Sequence, residues 1–340
     1  MSRCRMPALA RLALAGLASL AAVGASLAPP SSPAAAADRP EYVALGDSYS
    51  AGVFVRLWEE KDGCGRSGRN YPHQVAARLG YALKDRTCGA AEVVDGVLAP
   101  QPASKVYGPP TTPPPGGWRS LPAQVDALSD HTRVVTVSIG GNSLGFGPIM
   151  TKCLTLGATT PWSAPCRRYF GQGEGKAWLD GRFAALGRDF GRMMGEIHDR
   201  ARHARVAVVG YPAIAADGSG CGYLHWDQLG SVKKGDIPWL DELEQRLNRL
   251  LEEQAVRHRA TYVDTYGPSV RHGVCESGEA KWMYGIRDDL TGDGDQTDQP
   301  PSQECLKIPG SGQSCTFVHP NARGLDNQAH QVIRALTSGR

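Results

Sequence analysis

Beyond its first 37 residues, this 340-residue chain has no apolar run long enough to span a bilayer. That excludes a membrane-embedded body. It also has no charge of one sign to spare. Once the three arginines of the leader are set aside, 34 basic residues face 34 acidic ones. A nucleic-acid binder gathers a basic excess on one face, so nucleic acid is not an expected partner. No Cys-x-x-Cys pair occurs, which argues against a structural zinc site. No linker is long enough to divide the remaining 300 or so residues into two domains. Aromatic residues make up only 7% of the chain.

What is present begins with the leader. Arg3, Arg5 and Arg11 surround an Ala/Leu-rich core, and small residues follow, ending in Ala35, Ala36 and Ala37. This is the layout of a secretory signal peptide covering residues 1–37, with cleavage before Asp38. A membrane anchor is the rival reading, and Pro29, Pro30 and Pro33 beside a small-residue cleavage site argue against it. The expectation is a secreted, extracellular protein with no stable membrane anchoring. Eight cysteines then remain: Cys64, Cys88, Cys153, Cys166, Cys221, Cys275, Cys305 and Cys315. An even count in an exported chain reads as disulfides. The sequence leaves 105 connectivities open, of which joining neighbours in that order is the simplest.

Residues 38–340 are expected to form one domain. Five β-branched runs read as strands: "YVALG" from Tyr42, "KDRTCGAAEVV" from Lys84, "RVVTVSIGG" from Arg133, "RVAVVGYP" from Arg205 and "ATYVDTY" from Ala260. Three are nearly continuous apolar runs, as parallel strands covered on both faces require. Helical patterns lie between them, at "YPHQVAARLG", "LPAQVDALSD", "AWLDGRFAALGRDFGRMMGEIHDRAR" and "DIPWLDELEQRLNRLLEEQAVRHR". In the last, Asp236 is placed as a cap and Leu240, Leu243, Leu247 and Leu250 form a core-facing stripe with no assigned role. Strand–helix alternation predicts an α/β fold with a parallel sheet. Two stretches break the alternation, a Pro-rich loop at 96–119 and an acidic, cysteine-containing loop at 285–315. The acidic loop, lying just before the last helix, is expected to overhang a site at the carboxyl ends of the strands, and both loops to shape its pocket.

At those ends stand reactive or polar groups. The first strand ends on Ser48, the second leads to Gly89, the third to Asn142 and Ser143, and His319 precedes the final helix. Ser, Gly, Asn and His, each in a loop where a strand ends, make sense as acyl-transfer machinery. Ser48 attacks an ester carbonyl while His319 accepts its proton and returns it to the leaving alcohol. The N–H groups of Ser48 and Gly89, with the amide of Asn142, would stabilise the oxyanion.

The blocks "GDSYSAG", "CGAAE", "IGGNS" and "HPNARG" resemble those of the SGNH (GDSL-type) hydrolases, in particular the secreted actinobacterial esterases and lipases. The resemblance runs from Gly46 to Gly324. It implies a flavodoxin-like three-layer α/β/α sandwich around a five-stranded parallel sheet, and hydrolysis of carboxylic esters without a cofactor or metal. It also implies Ser48 as nucleophile, His319 as base, and Gly89 and Asn142 in the oxyanion hole. The chain departs from the family in two places. Ser143 stands where the third block usually has Asp, and Thr316 stands where an Asp often precedes the catalytic His by three residues. The imidazole is therefore expected to be oriented by a backbone carbonyl of the loop before His319, with an acid of the 293–298 segment as the other candidate.

Three other readings stay open. "GNSLG" is itself a Gly-x-Ser-x-Gly, so Ser143 could be the nucleophile of an α/β-hydrolase with Asp264 and His319, although no HGGG-type loop precedes it. The fold could instead serve binding alone. The acidic loop has Asp293, Asp295 and Glu304 at EF-hand-like spacing, but Asp298 stands where that loop needs Gly, and a solvated loop is the preferred reading. The substrate is expected to be a small-molecule or lipid ester, with short or medium acyl chains favoured, and the protein a monomer.

Overall fold

A computed structural model of the chain describes residues 39–55, 62–106, 113–218, 220–222, 225–286, 306–308, 312–314 and 318–338. The proposed signal peptide, Cys305, Cys315, Thr316 and the 293–304 acidic segment lie outside these residues. The described elements belong to one compact unit, Arg39–Arg340.

Five parallel strands form the central sheet: β1 (Glu41–Gly46), β2 (Ala82–Asp85), β3 (Thr132–Ser138), β4 (Arg205–Val209) and β5 (Thr261–Val263). Their spatial order is β2-β1-β3-β4-β5. A short antiparallel pair, β6 (Leu306–Ile308) and β7 (Gly312–Ser314), stands apart from this sheet. The helices are α1 (Ser48–Ala51), α2 (Tyr71–Leu79), α3 (Gly141–Leu144), α4 (Phe146–Thr159), α5 (Pro165–Phe170), α6 (Gly173–Arg200), α7 (Trp226–Leu229), α8 (Ile237–Arg257) and α9 (Ala322–Thr337).

Alternation along the strands sends side chains to two cores. Tyr42 and Ala44 of β1 pack with Val75 of α2 and with Ala329 and Val332 of α9. Val43 and Leu45 face the other way, onto Phe190 and Met193 of α6 and Leu247 and Leu251 of α8. Both faces of the sheet are thus covered, which is why its strands read as continuous apolar runs. The architecture is the expected three-layer α/β/α sandwich.

Three local expectations need correction. The second strand is Ala82–Asp85, beginning two residues before the run read from Lys84, and residues 87–98 fold into successive turns. "LPAQVDALSD" forms only a 3₁₀ turn at Gln124–Ala127. Asp236 makes no side-chain cap on its own helix α8. Instead its carboxylate accepts the N–H groups of Cys166 (3.2 Å) and Arg167 (2.8 Å), the otherwise unpaired donors at the start of α5. Three disulfides join neighbours in chain order: Cys64–Cys88, Cys153–Cys166 and Cys221–Cys275.

Candidate active site

The turn that presents Ser48 depends on a glycine. Gly46 has φ +156°, and a Cβ there would stand 2.4 Å from Ser50 Oγ and 2.6 Å from the Ser138 carbonyl oxygen. The Gln124 side chain grips this glycine from both sides, accepting from its N–H at 2.8 Å and donating to its carbonyl at 2.9 Å. Asp47 follows as the cap of α1. Its carboxylate accepts the Tyr49 N–H (3.0 Å) and the Tyr211 hydroxyl. That hydroxyl in turn accepts the Gly141 N–H at 2.9 Å, tying the β1 turn to the β3 turn. Asp47 is buried, and burial pushes its carboxyl up to about 7 against the opposing pull of those hydrogen bonds.

His319 reaches this turn from the far end of the chain. Its Nε2 lies 2.8 Å from Ser48 Oγ. The ring is wedged against Tyr49 and Phe54, each with centroids 4.9 Å away. Its own carbonyl accepts the Tyr284 N–H at 2.8 Å, and the preceding Val318 carbonyl accepts the Tyr49 hydroxyl at 2.5 Å. Val318 holds φ +55°, a left-handed conformation that is unfavourable for a β-branched residue. Such strain persists only where neighbouring bonds over-determine it. Of the segments named as candidate orienters of the imidazole, the loop before His319 is described only at Val318, and residues 293–298 lie outside the described residues.

Asn142 projects from α3, directly after β3. One of its amide hydrogens goes to the Ala91 carbonyl at 3.0 Å, which leaves the other for a ligand. Gly89, the other residue expected to donate, has its amide occupied. Gly89 is buried and its N–H is engaged by the Cys64 carbonyl at 3.0 Å. The next residue, Ala90, is partly exposed, has φ +62°, and its N–H has no hydrogen-bond partner among the described residues. The Ser48 N–H is free in the same sense. Ala90 is bracketed by Cys88, whose N–H bonds to the Gly46 carbonyl, and by Ala91, bonded to Asn142. Nothing in its residue type marks it, since alanine carries no signature of a left-handed turn.

Ser48, Asn142 and His319 open onto an apolar cavity of about 160 Å³. Its walls are helical: Leu144 of α3, Phe146, Ile149 and Met150 of α4, and Leu240, Leu243 and Leu247 of α8. Three of the four leucines of the α8 stripe, Leu240, Leu243 and Leu247, thus face this cavity. Conversely, no described residue of the Pro-rich loop lines the cavity. Glu244 also reaches it. One carboxylate oxygen accepts the Ile214 N–H at 3.0 Å, and the other is buried without a partner among the described residues. Burial holds this carboxyl well above the usual carboxylate range.

Ser143, the alternative nucleophile, is differently placed. Its hydroxyl oxygen accepts the Val93 N–H at 2.8 Å, its carbonyl accepts from Arg182, and it does not line the cavity. Asp264, the acid of that alternative, is exposed and accepts the Tyr266 and Gly267 N–H groups of its own turn. His258 and His330 lie in or beside outer helices, as expected of ordinary surface histidines. Among the described residues, no group of three or more His, Cys, Asp or Glu could hold a metal ion. The EF-hand-like segment is not among them.

Residues 44–326 match the model of the GDSL-like lipase/acylhydrolase family. Lipase 2 of Streptomyces coelicolor is 33% identical over 339 residues, covering 97% of this chain and 98% of its own. An esterase of Streptomyces scabiei is 29% identical, covering 88% and 86%. Among solved structures, the extracellular lipase of Streptomyces rimosus superposes with a TM-score of 0.60 at 22% identity, over 88% of this chain and 99% of that one. Phospholipase A1 of Streptomyces albidoflavus gives 0.59 at 22%, over 89% and 100%. The chain belongs to the GDSL-like lipase/acylhydrolase family and is a carboxylic ester hydrolase.

Proposed function

We propose that the protein is exported and hydrolyses esters of short to medium apolar acyl chains, with Ser48 as nucleophile and His319 as general base. The observation that carries this reading is the 2.8 Å contact between His319 Nε2 and Ser48 Oγ at the mouth of an apolar cavity. Ser48 Oγ bonds to the ester carbonyl carbon while its proton passes to His319 Nε2. The oxygen that becomes negative is received by the N–H groups of Ser48 and Ala90 and the free amide hydrogen of Asn142. Collapse of the intermediate expels the alcohol, which takes the proton from His319. A water molecule then repeats the sequence on the acyl-enzyme, yielding the carboxylic acid and restoring both residues.

The acyl chain is assigned to the cavity because its walls are aliphatic. An apolar cavity of about 150 Å³ holds a benzene-sized guest, so a volume of about 160 Å³ fits roughly six carbons. Export rests on the leader, and sequencing the secreted protein should find Asp38 at its amino terminus. Catalysis is tested with p-nitrophenyl esters from acetate to decanoate. Ser48→Ala and His319→Ala should each lower kcat by at least about 10³-fold. Ser143→Ala should stay within about threefold of wild type. Loss confined to Ser143→Ala would overturn the assignment in favour of an α/β-hydrolase nucleophile. A wild type inert toward every ester and toward a serine-directed fluorophosphonate would favour a binding protein.

A further inference from the structure

A second feature of the molecule lies outside the reactive turn. Among the described residues, six large hydrophobic side chains are notably exposed, and the three aromatic ones share one region: Trp162 at 50%, Tyr169 at 37% and Trp178 at 39%. Trp162 sits between α4 and α5, Tyr169 on α5 and Trp178 on α6. Tyr169 and Trp178 are linked through Phe170, whose ring centroid is 4.9 Å from Tyr169 and 5.9 Å from Trp178. Phe170 also stacks on Trp239 of α8 at 5.5 Å.

Each exposed ring carries a cation. Arg168 lies 4.4 Å over Trp162, Lys152 4.4 Å over Tyr169, and Arg182 5.9 Å over Trp178. The charge balance agrees. Residues 146–182 hold five basic and two acidic side chains, although residues 38–340 as a whole are neutral. One of the two acids, Asp180, is already paired with Lys176 and Arg246.

The patch adjoins the cavity wall. The Trp178 ring lies over Gly145, where an added Cβ would meet it at 2.8 Å, and Gly145 is followed by Phe146 of the cavity wall. Trp239 is followed by Leu240 of the same wall. The platform is also braced, since Cys153–Cys166 ties α4 to α5 beside Lys152 and Arg167.

We propose that this face adsorbs reversibly to lipid surfaces rich in anionic headgroups, setting the cavity mouth against the bilayer. Amphipathic rings settle at the boundary between headgroups and acyl chains, while lysine and arginine keep their charges at the phosphate level. The attraction is electrostatic and short-ranged, so salt weakens it. The inference does not depend on which serine is the nucleophile.

The test is sedimentation with vesicles of ether-linked lipids, which have no carboxylic ester to cleave. Wild type should bind vesicles containing about a third phosphatidylglycerol at low salt, and lose roughly tenfold in partitioning at several hundred millimolar salt. Lys152→Glu/Arg168→Glu should lower partitioning at least about tenfold. Trp162→Ala/Tyr169→Ala should lower it similarly, with a loss of the blue shift in tryptophan fluorescence. Both variants should keep wild-type melting and turnover of soluble p-nitrophenyl butyrate. Equal binding to pure phosphatidylcholine, no binding to either vesicle, or undiminished binding by the charge-reversed variant would each overturn the proposal.

Discussion

The reactive turn and the acyl cavity lie side by side and are built on opposite principles. Around Ser48 the turn is fixed by hydrogen bonds, and the donors left over face the reacting atoms. Gln124 holds Gly46, Asp47 holds Tyr49 and Tyr211, and Tyr211 holds Gly141. The cavity beside it is held by the packing of α3, α4 and α8 and makes few directional bonds. Two buried carboxyls, one from each region, differ in the same way. Asp47 has both oxygens bonded, whereas Glu244 has one bonded and one without a partner among the described residues. Geometry that must be exact to a few tenths of an ångström is set by hydrogen bonds, and volume is set by side-chain size. Substitutions in the first region should therefore change rate or pH response, and those in the second should change which ester is preferred.

The largest effect expected from this contrast concerns Asp47. Its folded-state value of about 7 lies above the 3.8 of an unperturbed carboxyl. The proton is therefore bound more tightly in the folded protein. The stability this contributes is complete below about pH 4 and is lost as pH rises to about 7. The difference between the two values corresponds to something on the order of 4 kcal/mol. Asp47→Asn keeps an acceptor for Tyr49 and has nothing to ionise. Its melting temperature should gain on wild type steadily between about pH 4 and 7 and then level off. Glu244→Gln should show the same sign, since burial raises that carboxyl too. A difference independent of pH would falsify the assignment of a buried, protonated Asp47.

Next in size is the oxyanion contact. Asn142→Ala removes one donor and should lower kcat by about 10²–10³-fold with little change in KM. It also frees the Ala91 carbonyl, so a melting curve is needed to show that the turn survives. In the cavity, Leu240→Trp should act in the complementary way. Each CH₂ denied burial costs about 0.8 kcal/mol. Blocking two should cost hexanoate and longer esters roughly tenfold in kcat/KM and leave acetate untouched. A uniform fall across all esters would show that Leu240 supports the reactive turn and not the acyl chain.

The same contrast explains what could be read from residues alone. Ser48, Asn142 and His319 stand out because polar side chains at the ends of apolar strands have no packing reason to be there. The cavity gives no such signal. Leu240, Leu243 and Leu247 carry the 3–4 spacing of any core-facing helix, and only the tertiary arrangement shows that they stop short of filling the space. Asp236 reads as a cap in either account, but the helix it serves lies 70 residues earlier in the chain. "LPAQVDALSD" has a helical pattern, yet Gln124 is needed to clamp Gly46, and the segment closes into a single tight turn. In each case tertiary demand decides between local options that the chain leaves open.

Ala90 offers the smallest test and the one that separates two adjacent amides. A left-handed backbone costs a residue with a Cβ about 1–2 kcal/mol. Glycine relieves that cost and gives back about 0.5–1 kcal/mol through the unfolded chain. Ala90→Gly should therefore leave stability unchanged or raise it by up to about 1 kcal/mol. It keeps the N–H in place, so turnover should hold. Ala90→Val puts a β-branched residue at φ +62° and should pull the turn out of shape. If the Ala90 N–H receives the oxyanion, kcat falls in the valine variant along with stability, and KM changes little. If kcat survives while the melting temperature drops, the third donor is not Ala90. The Gly89 N–H would then have to leave the Cys64 carbonyl when substrate binds.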